Sequence, residues 1–343
     1  MPYYHPIKKI TDCEERNRVI EKLLVLRRQL DREIPQKTAT ETLLLATWNI
    51  REFGDNRSLE SLYYIAEIIS RFNLVAIQEV SANLKGLEAV MHLLGHNWDY
   101  IVTDSTDGTA GGGERTAFVY DTNKIFFRKV AGEIVLPPNK LIQGELQFAR
   151  TPFCVAFQAG WFKFHLATVH IYYGKSSGVD PRRVAEIEAI AKFLTQRGKK
   201  EDTSYILLGD FNIPKCGDQT MLALERNGFS IPDCIKEHPS DLGRTKHYDQ
   251  IAFNLKLEKN MTVFSEKEQK AGAFNFTESV YTPEDVKAYQ KYFDPKYTEG
   301  KTEEEIKKYF LSKWRTFQMS DHLPLWVELK VDFSDAYLKK LKA

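Results

Sequence analysis

This chain predicts an α/β fold, two packed β-sheets with helices outside, and three observations carry the prediction. In the first third, short apolar runs alternate with segments of helical period. Strands then dominate the middle with few helices between them, which does not suit a purely parallel, doubly wound sheet. Finally, one apolar run after another ends in a carboxylate, carboxamide or histidine, as "YILLGDFNIP" (205–214) does. Loops at strand ends are where rigid scaffolds hold reacting groups.

The composition bounds the function. With 343 residues the chain can bury a large core. At 43% hydrophobic and 28% charged it reads as soluble and globular. Lys+Arg 48 against Asp+Glu 47 leaves a net charge of +1, so any attraction to a polyanion must be local. "MPYYHPIKKI" has no apolar signal core, and no apolar run approaches a membrane span. Cys13, Cys154, Cys216 and Cys234 lack paired metal spacing, which reads as a reducing, cytoplasmic setting without disulfides.

Taken in order, residues 11–34 predict a helix ahead of the main domain. Asp12 with Glu15 makes a capping-box pattern, and Val19, Leu23, Leu26 and Leu30 recur at helical spacing. We therefore expect a helical extension over 1–40 and a domain over 41–335. In that domain, strand 43–50, helix 58–71, strand 74–80 and helix 83–94 follow, the last stopped by Gly95. Strands are expected at 98–103, 115–120, 125–136, 152–158 and 161–171. Asp180, Pro181 and Gly198 bound a helix over 180–198. Further strands fall at 204–209, 248–254 and 324–331. Residues 262–316 interrupt this pattern, with helix starts at Thr282 and Thr302 and cations interleaved with rings, including Tyr309 and Trp314. That composition suits either a grip on single-stranded nucleic acid or amphipathic helices whose rings pack inward.

The polar strand ends share one chemistry. Asn49, Glu79, His170, Asp210, Asn212, Asp249, Asp321 and His322 stand at or just beside apolar runs. Glu79, Asp321 and the Asn49 amide oxygen are hard donors of the kind Mg²⁺ takes. A carboxylate such as Asp210 can orient or deprotonate water, and a His–carboxylate pair can face the charge of a phosphorane-like transition state. With no C-x-x-C or H-E-x-x-H there is no zinc signature, and "DGTAGGGER" is not a Walker loop but a loop rimming the cleft.

"TWNIREF", "VAIQEV", "GERTAFVYD", "TVHIYYG", "ILLGDFNIP", "HYDQIAF" and "MSDHLPLWVEL" occur in an order that resembles the endonuclease/exonuclease/phosphatase superfamily, over about residues 43–332. The resemblance implies a four-layer αββα sandwich, two mainly antiparallel sheets flanked by helices, with the site at one rim. It implies Asn49, Glu79 and Asp321 as metal ligands. Asp210 and Asn212 become the pair that orients water and contacts the phosphate. His322 with Asp249, and His170 with Glu114, become catalytic pairs, and Arg150 the holder of the scissile phosphate.

Two positions depart from DNase I-like members. Ser81 stands where they carry an Arg that enters the minor groove, and Gly112 where they carry an aromatic ring. "KHYDQIAF" lacks the Trp and Arg of the inositol phosphatases and is nearer to the nuclease branch. The expectation is a cytoplasmic, Mg²⁺-dependent phosphodiesterase, Mn²⁺ substituting. It is read as a nuclease acting on DNA, or on RNA, to leave 5′-phosphate and 3′-hydroxyl ends. The alternatives are a phosphomonoesterase or lipid phosphodiesterase, or a catalytically silent binding module.

Overall fold

The structure is a computed structural model describing residues 2–106, 112–174, 179–258, 261–264 and 270–342. Strands β1 (Thr42–Phe53), β2 (Leu74–Val80), β3 (Trp98–Val102) and β4 (Arg115–Asp121) form one sheet with the later strands β10 (Ala271–Ala273) and β11 (Leu325–Lys330). Its order is β10-β11-β1-β2-β4-β3. The second sheet runs β5 (Phe126–Glu133), β6 (Phe153–Ala159), β7 (Phe162–His170), β8 (Ser204–Asp210) and β9 (Asp249–Asn254) in sequence order. Among the described residues only β1–β2 and β7–β8 pair in parallel. The two packed, mainly antiparallel sheets are as expected.

The two-residue period of β1 assigns its faces. Leu43 and Leu45 join the core between the sheets, which also holds Phe157, Leu166, Leu208 and Ile251. Leu44, Ala46, Trp48 and Ile50 point to the other side. There they meet α1 (Cys13–Glu33), α2 (Leu59–Ile69) and α3 (Lys85–Leu94). On the far sheet, α4 (Pro181–Glu201) buries Ile187, Ile190 and Leu194 in a cluster continuous with that core, beside Leu224 of α5 (Gln219–Arg226).

The predicted N-terminal helix is present, with Asp12 accepting from the backbone N–H groups of Glu14 and Glu15. Val19, Leu23, Leu26 and Leu30 lie in the same cluster as the β1 side chains, so α1 covers the main core. Helix α4 runs past Gly198 to Glu201, a correction to the expected stop. A Cβ at Gly198 would sit 3.1 Å from the Tyr205 ring, so this glycine serves packing, and Asp202 at φ +47° ends the helix.

The described residues of the 262–316 stretch favour packing. Trp314 meets the rings of Tyr281, Tyr289, Phe293 and Phe310 at centroid distances of 5.6, 5.2, 5.2 and 5.5 Å. Tyr309 stacks on Tyr297 at 3.9 Å. These rings face one another and join the α1–α2 cluster, where Tyr289 and Tyr64 both donate to buried Glu60 and Arg18 pairs with it at 3.0 Å. Among the described residues no helix is long and apolar enough to cross a membrane.

Candidate active site

Strand direction gathers the polar ends at one rim. The C-terminal ends of β1, β2, β7 and β8 meet there, and their antiparallel neighbours start there. Register aligns His170, Asp210 and Asp249 across β7, β8 and β9. Thr47 opposite Leu325 brings His322 beside β1, and Val80 opposite Arg115 brings Glu114 beside Glu79. The glycine of the GDFN run has a local reason. Gly209 adopts φ +130°, and a Cβ would stand 2.1 Å from the Val169 carbonyl oxygen.

The side chains then form a row of alternating charge. Asp249 Oδ2 lies 2.7 Å from His322 Nδ1, and His322 Nε2 lies 3.8 Å from Asp210 Oδ2. His170 Nε2 approaches the same Asp210 oxygen at 3.5 Å, and its Nδ1 lies 2.9 Å from Glu114 Oε2. That last contact is an ion pair without hydrogen-bond alignment. Arg150 closes the row, donating Nε to Glu114 Oε2 (2.7 Å) and an Nη to Oε1 (3.0 Å). Asn212 donates its backbone N–H to Asp210 Oδ1 (2.8 Å) and its amide to the Ile171 carbonyl (2.9 Å). Asp210, Asp249, His170 and His322 are all buried. Buried charges are tolerable only when paired, and this row pairs each one.

The pairing sets the protonation states. Burial alone would lower the His322 pKa, but Asp249 and then Asp210 outweigh it and hold the ring well above the usual histidine range. His170 is raised in the same way, burial being overcome by Glu114 and Asp210. Burial works to raise Glu114, yet His170 and Arg150 bring it down to about 2.

Asn49 supplies the test of fit for a metal. Its Nδ2 donates to Glu79 Oε1 (2.9 Å) and to Asp210 Oδ2 (3.0 Å), while its Oδ1 is buried with no hydrogen-bond partner. A buried, unpaired amide oxygen beside carboxylates is a hard donor set suited to Mg²⁺. Asp210, Asp249 and His322 also have ligand atoms within 4.8 Å of one another. Two of those atoms, His322 Nδ1 and Asp249 Oδ2, are already taken up with each other at 2.7 Å. Asp321 is not drawn into the Asn49–Glu79 hydrogen bonds. Its carboxylate is 45% exposed at the rim and ion-paired with Arg51 at 3.4 Å. Beside Glu79 opens a cleft of about 530 Å³ lined by Glu52, Asp55, Ser81, Gly112 and Glu114.

Several positioning groups escape a reading of the sequence. Trp48 donates Nε1 to the His322 carbonyl (2.9 Å), although its place in β1 reads as plain core. Ser320 donates to the Asn49 carbonyl (2.6 Å) and accepts from the His322 N–H (2.9 Å). The Tyr248 ring lies 5.5 Å from that of His322. Arg183 is buried and bonds the carbonyls of Asn212 (2.9 Å), Tyr172 (3.2 Å) and Tyr173. In sequence it looks like one more solvated cation on a helix.

Comparison with known proteins bears on the family and the fold. A curated deoxyribonuclease of Thioalkalivibrio sp. (strain K90mix) is 32% identical over 185 residues, 51% of this chain and 48% of that protein. The chain thus spans about half the length of that relative. A mannosyl-6-phosphatase of Bacteroides thetaiotaomicron VPI-5482 superposes with TM-score 0.54 at 18% identity, covering 84% of this chain and 99% of that one. The human Nocturnin catalytic domain gives 0.54 at 13%, covering 86% and 96%. At such identities these structures speak for the fold alone. Residues 46–283 match the profile of the Endonuclease/Exonuclease/phosphatase family. The chain belongs to that family.

Proposed function

We propose that this protein is a Mg²⁺-dependent phosphodiesterase, a nuclease that hydrolyses DNA to 5′-phosphate and 3′-hydroxyl ends in the cytoplasm, with Mn²⁺ able to substitute. The observation that carries the reading is Asp210. One buried carboxylate lies within 3.8 Å of two imidazoles and accepts from the amide of Asn49. The curated relative named deoxyribonuclease supports the substrate class. The thiols of Cys13, Cys154 and Cys216 suit a reducing compartment.

Glu79 and the Asn49 oxygen would hold the ion, with Asp321 completing the set once released from Arg51. A bound Mg²⁺ supplies charge that polarises the phosphoryl oxygens. The chain's own groups do the rest. Asp210 orients a water and takes its proton as the water oxygen bonds to phosphorus. The P–O3′ bond breaks, and the departing oxygen takes the proton of an imidazolium. His322 and His170, kept charged by Asp249 and Glu114, face the negative charge that builds on the phosphoryl group. Arg150 binds the phosphate by exchanging its bond to Glu114 for one to the substrate. The test is a panel of plasmid, single-stranded DNA, RNA and inositol phosphates, with and without Mg²⁺. Turnover confined to the inositol phosphates would overturn the nuclease reading.

A further inference from the structure

The loop after β1 carries a guanidinium in an unusual setting. Arg57 is 7% exposed, and among the described residues its Nη groups bond to oxygens of carbonyls and an amide. One Nη donates to Asn56 Oδ1 (3.1 Å) and to the Phe317 carbonyl. The other donates to the Arg51 carbonyl and, at 3.4 Å, to that of Met319. No carboxylate pairs with it among the described residues. A buried guanidinium that touches no carboxylate is costly, Glu52 and Glu79 acting on it only from a distance, so its burial calls for a reason.

The acceptors supply that reason. Phe317 and Met319 lie at the C-terminal end of the helical run 303–318, whose carbonyls carry partial negative charge. Ser320, Asp321 and His322 follow at once. Arg51 lies at the end of β1, where its side chain donates to Thr316 (2.9 Å), pairs with Asp321 and covers the Phe317 ring at 4.0 Å. The next residue, Glu52, donates its N–H to Glu79 Oε2 (2.9 Å). A single planar fork thus joins the strand end that holds Glu79 to the chain that carries Asp321 and His322.

We infer that Arg57 is a positioning residue of this site, fixing the Asp321–His322 loop against the end of β1. It also makes the aromatic arm 281–318 part of the catalytic scaffold, since that arm's last turn is what Arg57 grips. Where turnover is read, the inference rests on the proposed function; a second readout does not. Trp48 donates to the His322 carbonyl from a fully buried position, so its indole N–H reports the loop whether or not the protein turns anything over.

The experiment compares the full chain with Arg57→Met, Arg57→Lys and, as a stability control, Arg18→Met. Arg18 lies in α1 and packs on the arm through the Tyr289 ring at 4.6 Å. Arg57→Met should lower kcat by about 10²-fold with KM changed by less than about threefold, the scale expected for a small misplacement of reacting groups. Its Trp48 indole N–H, assigned through Trp48→Phe, should shift and exchange faster with solvent. Arg57→Lys should remain impaired, because an ammonium lacks the fork, whereas added guanidinium ion should partly restore Arg57→Met. Arg18→Met should lower Tm yet leave kcat and the Trp48 signal unchanged. If Arg57→Met does not fold, the same readouts on Arg57→Lys decide. A folded variant with wild-type kcat and an unmoved Trp48 signal overturns the inference, as do equal losses in Arg18→Met. A wild-type chain that turns over none of the panel defeats the proposed function, and the Trp48 signal still decides the role of Arg57.

Discussion

His322 Nδ1 and Asp249 Oδ2 lie 2.7 Å apart, and both side chains are buried. A charged pair in that setting is strong because little water screens it, and removing one partner strands the other. The carboxylate raises the pKa of His322 and so extends the charged form to higher pH. Asp249→Asn should therefore reduce kcat by about 10²-fold, with little change in KM, since the stabilised charge develops in the transition state. The basic limb of the pH–rate profile should also move to lower pH. Profiles of both proteins between neutral and alkaline pH check this, and a limb that stays in place would mean that another group sets it.

Glu79→Gln and Asp210→Asn test the metal and the base separately. Glu79 accepts from Asn49 and from the Glu52 N–H, so its neutral amide can keep part of that geometry while losing the ligand charge. Asp210→Asn loses the proton acceptor between two imidazoles. Each should cost on the order of 10²-fold or more in rate without unfolding the chain. Excess EDTA should abolish wild-type turnover, and titration with Mn²⁺ should show weaker binding in Glu79→Gln alone. Full hydrolysis in EDTA would remove the metal from the mechanism.

The row of charges also fixes a dependence of stability on acid. Glu114 is held at about 2 in the fold against an ordinary value of 4.5. A carboxylate with a depressed folded pKa contributes stability above its unfolded value and loses it as pH falls through the folded one. The window is therefore pH 4.5 down to about 2, and the loss across it is on the order of 2–3 kcal/mol. Urea unfolding of wild type and Glu114→Gln through this range should show a shallower acid decline in the variant. Parallel declines would mean that Glu114 is paired as strongly in the unfolded chain.

How much of this could be read from residues alone follows from what each signal encodes. The apolar run "LLLATWNI" and the Gly-Asp-Phe-Asn sequence at 209–212 mark strand ends, because each is a purely local signal. His170, Asp210 and Asp249 were legible as separate endings, and sheet register then sets them in a row. The grip of Arg57 on Phe317 joins positions 260 apart, and nothing local marks it. The same holds for Trp48 and His322, 274 apart. The aromatic arm was open in sequence because rings interleaved with cations suit a core edge and a nucleic-acid surface equally. Its geometry decides for the core.

That geometry makes Trp314 a stability residue. Its ring meets four others, so Trp314→Ala should remove about 3 kcal/mol of stability. Residual activity should keep the wild-type ratio of single- to double-stranded cutting. Thermal melts with rates on matched oligonucleotides test both halves. An intact Tm with an altered ratio would return the ring to the substrate.

The cleft beside Glu79 bears on which nucleic acid enters. Glu52, Asp55, Glu79 and Glu114 line it, and among the described lining residues, with Ser81 and Gly112 in the wall, there is neither a cation nor a ring. A second strand lying there would bring its phosphates toward carboxylates and gain nothing from the wall. A single strand needs only one backbone at the Asp210 end, where Arg150 stands. Single-stranded or locally opened DNA should therefore be cut at least as fast as intact duplex. With a net charge of +1, attraction rests on few local cations. Its loss with salt should then correspond to about two to four neutralised phosphates, at roughly 0.7 per phosphate for single strands on a log–log plot. Initial rates on matched single- and double-stranded oligonucleotides across a salt series measure both quantities. A strong preference for intact duplex at every salt concentration would sink the idea, because the acidic cleft would then have to accept the strand it is expected to repel.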